Sequence, residues 1–480
     1  MKSFFRKKLP YILIALEAVL IAGILLYIVP GRFRLYDIVL YDAAEKVPKN
    51  PLIGYAPPAE REKDCRRTDL VFIMLPFSEW EPEEGVFDTA GVEEKYHIEK
   101  YREHGKHAVL RFVCDVPSQK SHRDVPDWLC EVSGGREYED ESGKGYAPDY
   151  GDETFLRAHK EALDALAAWC NKDSFVSYVE IGSLGRNGDW NTLDQFDPDS
   201  KPSDEILLQY REQYEEAFSE DEDILLLASA AADVPAAGTG SWKDVIGSGT
   251  AVNRWKISTL DKSAGPDQTP APVSRVPADQ EVQESGETSG AGQLWTMAPV
   301  GGGLTGDIPI DSLLMDDLSD TLNQIRSSHI SYIGPGCPDR EQQKTNGSEM
   351  ILRNVGYCLY LSRLQTTVDF LRDELLLHFT FNNIGNAPMY RDWPVIMYIY
   401  DRDGNCIRTQ TLDLRLSGLM PGGEITVTGS VLYSKSLLDG YSVGLGITSP
   451  DGRNHITFAQ KGVLPDREGI HLVYKRSKIR

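Results

Sequence analysis

The sequence predicts a (β/α)8 barrel of the TIM type, followed by an antiparallel β-sandwich and preceded by a single N-terminal transmembrane helix. Three observations carry this prediction. Tyr11–Val29 is a nineteen-residue apolar run, about the length that crosses a bilayer. Short apolar runs then alternate with amphipathic stretches across residues 50–345, as in α/β folds. From residue 346 onward, β-rich runs are separated by turns, as in a sandwich.

The N-terminal segment predicts a signal anchor, with a basic tail and helix at residues 1–34 and a stalk at 35–49. Four basic residues precede the apolar run and two follow it, which favours a cytoplasmic N-terminus and an extracellular bulk. A cleaved signal peptide is the alternative. Its apolar region is usually about 7–15 residues long and ends in a small-x-small site, whereas Pro30-Gly31-Arg32 follows here.

The barrel domain is predicted from four buried parallel strands and three amphipathic helices between them. The strands are Leu70–Leu75, Ala108–Cys114, Val176–Ile181 and Ile224–Ser229, and the helices are Glu93–His104, Glu153–Trp169 and Ser203–Phe218. An open α/β sheet is the alternative. The barrel is preferred because polar and aromatic residues crowd the strand ends and no Gly-rich nucleotide loop follows the first strand. Residues 261–292 lack apolar periodicity and predict a disordered insertion within this domain.

The second domain, residues 346–480, is predicted from short strands at sandwich-like spacing. These strands are Leu375–Phe381, Val395–Tyr400, Glu424–Val431, Tyr441–Ile447 and His455–Phe458. Turn sequences such as Asp403-Gly404-Asn405 lie between them.

The candidate catalytic residues are Glu180 and Asp189, in the segment VEIGSLGRNGDW. A strand carrying one carboxylate runs into a Gly-rich turn carrying the second, and barrel enzymes place catalysis at the carboxyl ends of their strands. Glycosidic hydrolysis uses two carboxyl groups about 5–9.5 Å apart. The structural alternative pairs a buried Glu180 with Arg111 and leaves Asp189 shaping the turn.

Further polar and aromatic residues at the strand ends are candidates for substrate binding. They are Trp80, Glu81, Arg111, Asp115, His122, Trp128, Trp190 and His329. The tryptophans suit stacking on the apolar face of a sugar. The alternative role for Arg111 is a structural ion pair, because a buried guanidinium stays charged. The alternative for His329 is a core histidine whose ring nitrogens are hydrogen-bonded within the protein.

Composition excludes several function classes. The net charge is −23, of which residues 1–34 contribute +5, so the remainder carries −28. Such an acidic surface makes nucleic acid an improbable partner. No cofactor or metal site is predicted, since seven scattered cysteines show no zinc spacing, although acidic loops outside a cell could bind Ca²⁺ weakly. Serine-hydrolase, zincin and P-loop motifs are also missing from the sequence.

Taken together, eight segments resemble a bacterial family labelled domain of unknown function 4832. The segments are Asn50–Pro57, Trp80–Gly85, Leu110–Val113 with Asp115, Pro126–Leu129, Pro148–Tyr150, Val179–Gly185 with Gly188–Trp190, Pro299–Gly302 and Ser328–Pro335. The resemblance covers roughly residues 48–460. It implies a glycoside-hydrolase-type barrel followed by a small β domain.

Two departures from that family bear on catalysis. The family's G-E-W-H is Gly188-Asp189-Trp190-Asn191 in this chain, and its G-G-E is Gly301-Gly302-Gly303. If the family's two glutamates form its catalytic pair, one is shortened here and the other is missing. A group misplaced by about 1 Å can cost on the order of 100-fold in rate.

Three functions therefore remain open. The first is a membrane-anchored extracellular glycosidase-like enzyme acting on a polysaccharide. The second is a catalytically degenerate barrel that binds glycan or cell-wall material without cleaving it. The third is an envelope scaffold whose β-sandwich engages a protein partner.

Overall fold

The structure is a computed structural model that describes residues 15–23, 37–45, 47–190, 202–219, 223–229, 238–261, 293–369, 372–432, 440–466 and 468–476. Helix α1 covers residues 15–23. Within the described ranges, no helix combines the length and apolarity needed to span a membrane. Most of the predicted anchor and nearly all of the predicted insertion at 261–292 lie outside these ranges, so both stay predictions.

Among the described residues, eight parallel strands form the first domain. After β1 (Asp37–Leu40), which belongs to the second domain, the barrel strands are β2 (Gly54–Tyr55), β3 (Leu70–Pro76), β4 (His107–Val113), β7 (Val176–Ser183), β8 (Leu225–Ser229), β9 (Gly240–Trp242), β10 (Val300–Gly302) and β11 (Ile330–Ile333). Hydrogen bonds from Phe72 N to Pro57 O and from Ala59 N to Phe72 O, both 2.8 Å, join the first strand to the second. The sheet therefore closes on itself as a barrel, as predicted.

Helices surround this barrel. They are α2 (Phe77–Trp80), α3 (Thr89–Lys95), α4 (Ile98–Glu103), α5 (Asp127–Cys130), α6 (Glu153–Cys170), α7 (Asp204–Ala217), α8 (Gly249–Trp255), α9 (Ile310–Leu314), α10 (Leu318–Ser327) and α11 (Asn346–Leu352). The predicted helix Glu93–His104 is split in two because His97 takes a left-handed conformation, with φ at 54°. Helix α7 begins where predicted, since the Ser203 side chain accepts from Ile206 N.

The predicted β domain is a pair of four-stranded antiparallel sheets, with strand orders β1-β12-β13-β16 and β15-β14-β17-β18. Its remaining strands are β12 (Leu359–Asp369), β13 (Glu374–Asn383), β14 (Val395–Tyr400), β15 (Cys406–Leu412), β16 (Glu424–Leu432), β17 (Tyr441–Ile447) and β18 (His471–Arg476). The predicted strand at His455–Phe458 is wrong: only His455 forms a bridge, to Thr448.

The predicted stalk at residues 35–49 is also corrected. Its residues 37–40 form β1, which pairs antiparallel with Arg363–Thr366 at the edge of the first sheet. The Tyr474 hydroxyl donates to Asp37 at 2.7 Å and ties this strand to the opposite sheet. An edge strand satisfies its backbone by pairing, so this segment belongs to the sandwich rather than to a free spacer.

The sandwich lies against the end of the barrel where the strands begin. Arg391 donates to Ser177 O at 3.1 Å, and Tyr357 donates to Pro51 O at 2.9 Å. The barrel interior, including Phe72 and Tyr178, belongs to the same apolar cluster as the sandwich core. The carboxyl ends of the strands therefore lie at the barrel end opposite the sandwich.

Candidate active site at the carboxyl ends of the barrel strands

The upper layer of the barrel interior is a polar cluster centred on Arg111. Along β4, Leu110 and Phe112 pack toward the helices, so alternation points Arg111 inward. Arg111 Nε donates to Glu180 Oε2 at 2.5 Å, and the Tyr332 hydroxyl donates to Glu180 Oε1 at 2.6 Å. The guanidinium also lies 3.6 Å from the ring centroid of Trp242, a favourable cation–π arrangement.

Glu180 is consequently a buried ion-pair partner, which is the structural alternative foreseen from the sequence. Its side chain is 0% exposed, and each carboxylate oxygen accepts a hydrogen bond. Burial raises the pKa of Glu180 to about 7, against the opposing effect of Arg111. A substrate has no access to this carboxylate, so the assignment of Glu180 as a catalytic group is corrected.

Asp244 is the carboxylate that the sequence did not reveal. It follows β9 by two residues, and its side chain is 34% exposed. Asp244 Oδ2 accepts from Arg111 Nη1 at 3.0 Å, and Oδ1 accepts from the backbone N–H of Gly303 at 2.7 Å. A Cβ built on Gly303 would lie 3.0 Å from this Oδ1. Asp244 thus occupies the space beside Gly303.

Arg111 forms ion pairs with both Glu180 and Asp244. Burial alone would lower the pKa of Arg111, but Asp244 and Glu180 together raise it well above its ordinary value. The guanidinium therefore remains a fixed cation between two carboxylates. Asn187 O accepts a further hydrogen bond from Nη1 at 3.2 Å, which links this cluster to the turn after β7.

Asp189 lies in that same turn, at the mouth of the barrel, as predicted. It is half-buried, and its backbone carbonyl accepts from Ser229 Oγ, at the end of β8, at 2.6 Å. Burial lowers the pKa of Lys243, and the charge of Asp189 opposes that effect. Because Lys243 precedes Asp244, the turn after β7 and the end of β9 bring both aspartates to the same mouth.

Asp115 lies at the end of β4 but is covered by a hairpin. The hairpin consists of β5 (Gly135–Asp140) and β6 (Gly143–Pro148), and its Tyr138 hydroxyl donates to Asp115 Oδ1 at 2.5 Å. Burial raises the pKa of Asp115 to about 6. Arg186, in the turn after β7, pairs with Asp140 of the same hairpin. Asp115 therefore secures the hairpin.

The tryptophans predicted to stack on sugar mostly belong to the core. Trp80 is 0% exposed and donates to Ala162 O at 3.0 Å. Trp190 is 5% exposed and donates to Gly182 O at 2.6 Å. Trp128 is half-buried and donates to Glu81 O at 3.2 Å. The stacking role is corrected for Trp80 and Trp190, because apolar packing covers their ring faces.

Glu81 and His122 form local contacts in the loops around α2 and α5. Glu81 is 3% exposed, and its Oε1 accepts from Gly85 N at 2.8 Å. Burial raises the pKa of Glu81 to about 7. His122 Nε2 lies 3.1 Å from Asp124 Oδ2. These contacts account for both side chains as loop-stabilising groups.

His329 lies at the wrong end of the barrel for a substrate-binding role. It immediately precedes β11, its ring stacks 3.6 Å from Trp295, and its Nδ1 lies 2.7 Å from Asn386 O of the sandwich. The core-histidine alternative is therefore the one that the structure favours.

Among the described residues, no three His, Cys, Asp or Glu side chains are grouped closely enough to hold a metal ion. All seven cysteines are described, and each is a free thiol.

Fold and site together define a closed (β/α) barrel with an acidic mouth and a β-sandwich at its opposite end. No protein-family model matches the chain, and no curated protein sequence matches it. The resemblance to the family of unknown function stays a prediction.

Among solved structures, endo-glycoceramidase II from Rhodococcus sp. is 14% identical, with 82% of this chain and 99% of that chain covered and a TM-score of 0.38. A GH5_18 protein from Streptomyces cattleya, solved with Manβ1-4GlcNAc, is 13% identical over 38% of this chain and 44% of that chain, with a TM-score of 0.27. Exo-β-1,4-mannosidase Op5Man5 from Opitutaceae bacterium strain TAV5 is 11% identical over 39% of this chain and 33% of that chain, with a TM-score of 0.26. The strand order, rather than these distant likenesses, defines the fold.

Proposed function

We propose that this protein is a glycoside-hydrolase-like barrel that acts on a polysaccharide outside the cell. The observation that carries the proposal is Asp244, a carboxylate at the barrel mouth held by the Arg111 guanidinium and the Gly303 amide. Active sites of such barrels lie at this end. A preorganised carboxylate is the group that glycosidic hydrolysis requires as nucleophile or base.

In this proposal Asp244 and Asp189 form the pair of catalytic carboxyl groups. The Arg111 guanidinium pairs with Asp244 and orients its carboxylate to attack an anomeric carbon or to take a proton from a water molecule. Asp189, on the turn after β7, supplies the second carboxyl group. Glu180 acts only by fixing Arg111, since both of its oxygens are already engaged.

A binder without turnover is the second candidate, and two observations favour it. Gly303 provides no carboxylate, and the Glu180 carboxylate is fully buried in its ion pair with Arg111. If Asp189 cannot deliver a proton, the mouth still offers charged and amide hydrogen-bonding groups to a glycan.

A polysaccharide panel distinguishes these candidates. Released reducing ends and affinity electrophoresis would be measured for the wild type, Asp244→Asn, Asp189→Asn and Asp127→Asn. The last is a matched control, because Asp127 is 83% exposed and lies on α5. We expect Asp244→Asn to lower turnover by at least about 100-fold while glycan binding persists. Binding without turnover in the wild type would favour the second candidate. The absence of both binding and turnover with every glycan in the panel would refute both candidates.

Localisation belongs to the same proposal. The basic residues around Tyr11–Val29 support an N-terminal anchor with the barrel and sandwich outside the cell. The strongly acidic remainder of the chain supports neutral or cationic glycans as partners over polyanions.

A further inference from the structure

A cavity lies at the end of the barrel where the sandwich packs against it. Its volume is about 460 Å³, and its walls come from the start of β4, two barrel loops and two sandwich segments. Small-molecule sites commonly enclose about 300–1,000 Å³. The cavity is thus large enough for one or two sugar rings and is separate from the mouth that holds Asp244.

The wall of this cavity is polar and already ordered. Arg391 is 6% exposed and donates to Asp223 Oδ1 at 3.3 Å. Asp451 Oδ2 accepts from Ser174 Oγ at 2.6 Å, which connects the sandwich to the loop before β7. These bonds fix the side chains before any ligand arrives, which lowers the entropic cost of binding.

Two lining side chains carry buried polar atoms that no described residue hydrogen-bonds. These atoms are His107 Nε2 and Trp393 Nε1, on side chains that are 1% and 3% exposed. His107 Nδ1 lies 3.0 Å from Ser174 O and 2.8 Å from Ser177 Oγ, and these two contacts are compatible with a ring proton on either nitrogen. Burial lowers the pKa of His107 to about 4, which favours the neutral ring.

The two atoms therefore need complementary partners. His107 Nε2 requires a donor or an acceptor, according to the ring tautomer, whereas the indole N–H of Trp393 requires an acceptor. A hydroxyl group supplies both functions. The carboxylates of Asp173, Asp223 and Asp451 disfavour an anion in the same space.

We propose that this cavity binds a neutral polyhydroxylated ligand, one or two sugar rings in size. The site joins the barrel to the sandwich, so its occupancy would stabilise the contact between the two domains. The proposal is independent of hydrolysis at the barrel mouth.

The test uses the full chain, with D-glucose, D-mannose, N-acetylglucosamine and maltose as probes and glucuronate as the anionic control. Saturation-transfer NMR would measure binding, and crystal soaks would locate the sugar. Trp393→Phe removes the N–H but keeps an aromatic ring, and we expect it to weaken binding by roughly 3- to 10-fold. Asn171→Trp, on the exposed rim, should abolish binding without disturbing the core.

Two controls separate this site from the proposed active site. Asp244→Asn should leave sugar binding in this cavity unchanged, even if it destroys activity at the mouth. Trp295→Phe alters a tryptophan outside the cavity and should also have no effect. Density for water only, preferential binding of glucuronate, or full binding by Asn171→Trp would overturn the proposal.

Discussion

At the residue scale, Glu180 and Asp244 share one arginine but differ in exposure. Glu180 is wholly buried, whereas the Asp244 side chain is 34% exposed. Removing one partner of a buried pair leaves an uncompensated charge, whereas a partly exposed partner is replaced by water. The two carboxylates should therefore separate experimentally into a structural group and a functional one.

Substitution of these two residues tests that separation. We expect Glu180→Ala to lower the free energy of unfolding by about 3 kcal/mol, and Asp244→Asn by about 1 kcal/mol or less. Urea denaturation measures both. Equal losses of stability would contradict the division of roles.

Glu81 offers a pH-dependent prediction. Burial raises its pKa from 4.5 to about 7, so the folded protein retains a proton that the unfolded chain releases. This contribution to stability is full below pH 4.5 and is lost as the pH rises through 7.

Glu81→Gln removes that dependence, because an amide does not ionise. The melting temperature of Glu81→Gln relative to wild type should be higher at pH 8 than at pH 4.5, as measured by calorimetry. Glu83→Gln, on an exposed neighbour, is the control and should show no such trend. An identical difference at both pH values would refute the assignment.

At the element scale, the long strands β3, β4 and β7 were predictable from their continuous apolar runs. The short strands were not: β9 is only three residues long, so neither periodicity nor length marked it. Asp244 was missed for the same reason, since its position at a strand end depends on recognising β9. The β5–β6 hairpin was missed because its exposed first strand carries mostly charged residues.

The hairpin also gives a prediction at this scale. Gly143 has a φ of 130°, and a Cβ there would lie 2.7 Å from the backbone oxygen of Ser118. We expect Gly143→Ala to destabilise hairpin docking by about 1–3 kcal/mol and to expose residues 135–148 to limited proteolysis. Gly306→Ala is the control, because a Cβ there meets nothing within 4 Å. Unchanged proteolysis of Gly143→Ala would show that the hairpin is not held by this contact.

At the scale of the whole molecule, the sequence predicted both domains but not their arrangement. The apolar side chains of β12 and β13 did not indicate which part of the molecule they pack against, because packing between domains depends on contacts distant in sequence. Pairing of β1 with β12 spans more than 320 residues, which local patterns cannot show. The sandwich shares an apolar cluster with the barrel interior, so the two domains stabilise each other.

The proposed topology is testable with a native cysteine. Cys406 is exposed at the start of edge strand β15, whereas Cys130 is half-buried and the other five cysteines are buried. We expect a membrane-impermeant maleimide to label Cys406 on intact cells. Cys406→Ser should lose the label, and labelling that appears only after lysis would contradict an extracellular sandwich.

The central claim is that the barrel mouth beside Asp244 receives carbohydrate. Its most direct test is a crystal structure of Asp244→Asn soaked with an oligosaccharide from the polysaccharide that responds best. The account predicts sugar density at the carboxyl ends of the strands, within hydrogen-bonding distance of residue 244 and close to Asp189. Sugar bound only elsewhere, with an empty mouth at saturating concentration, would contradict it.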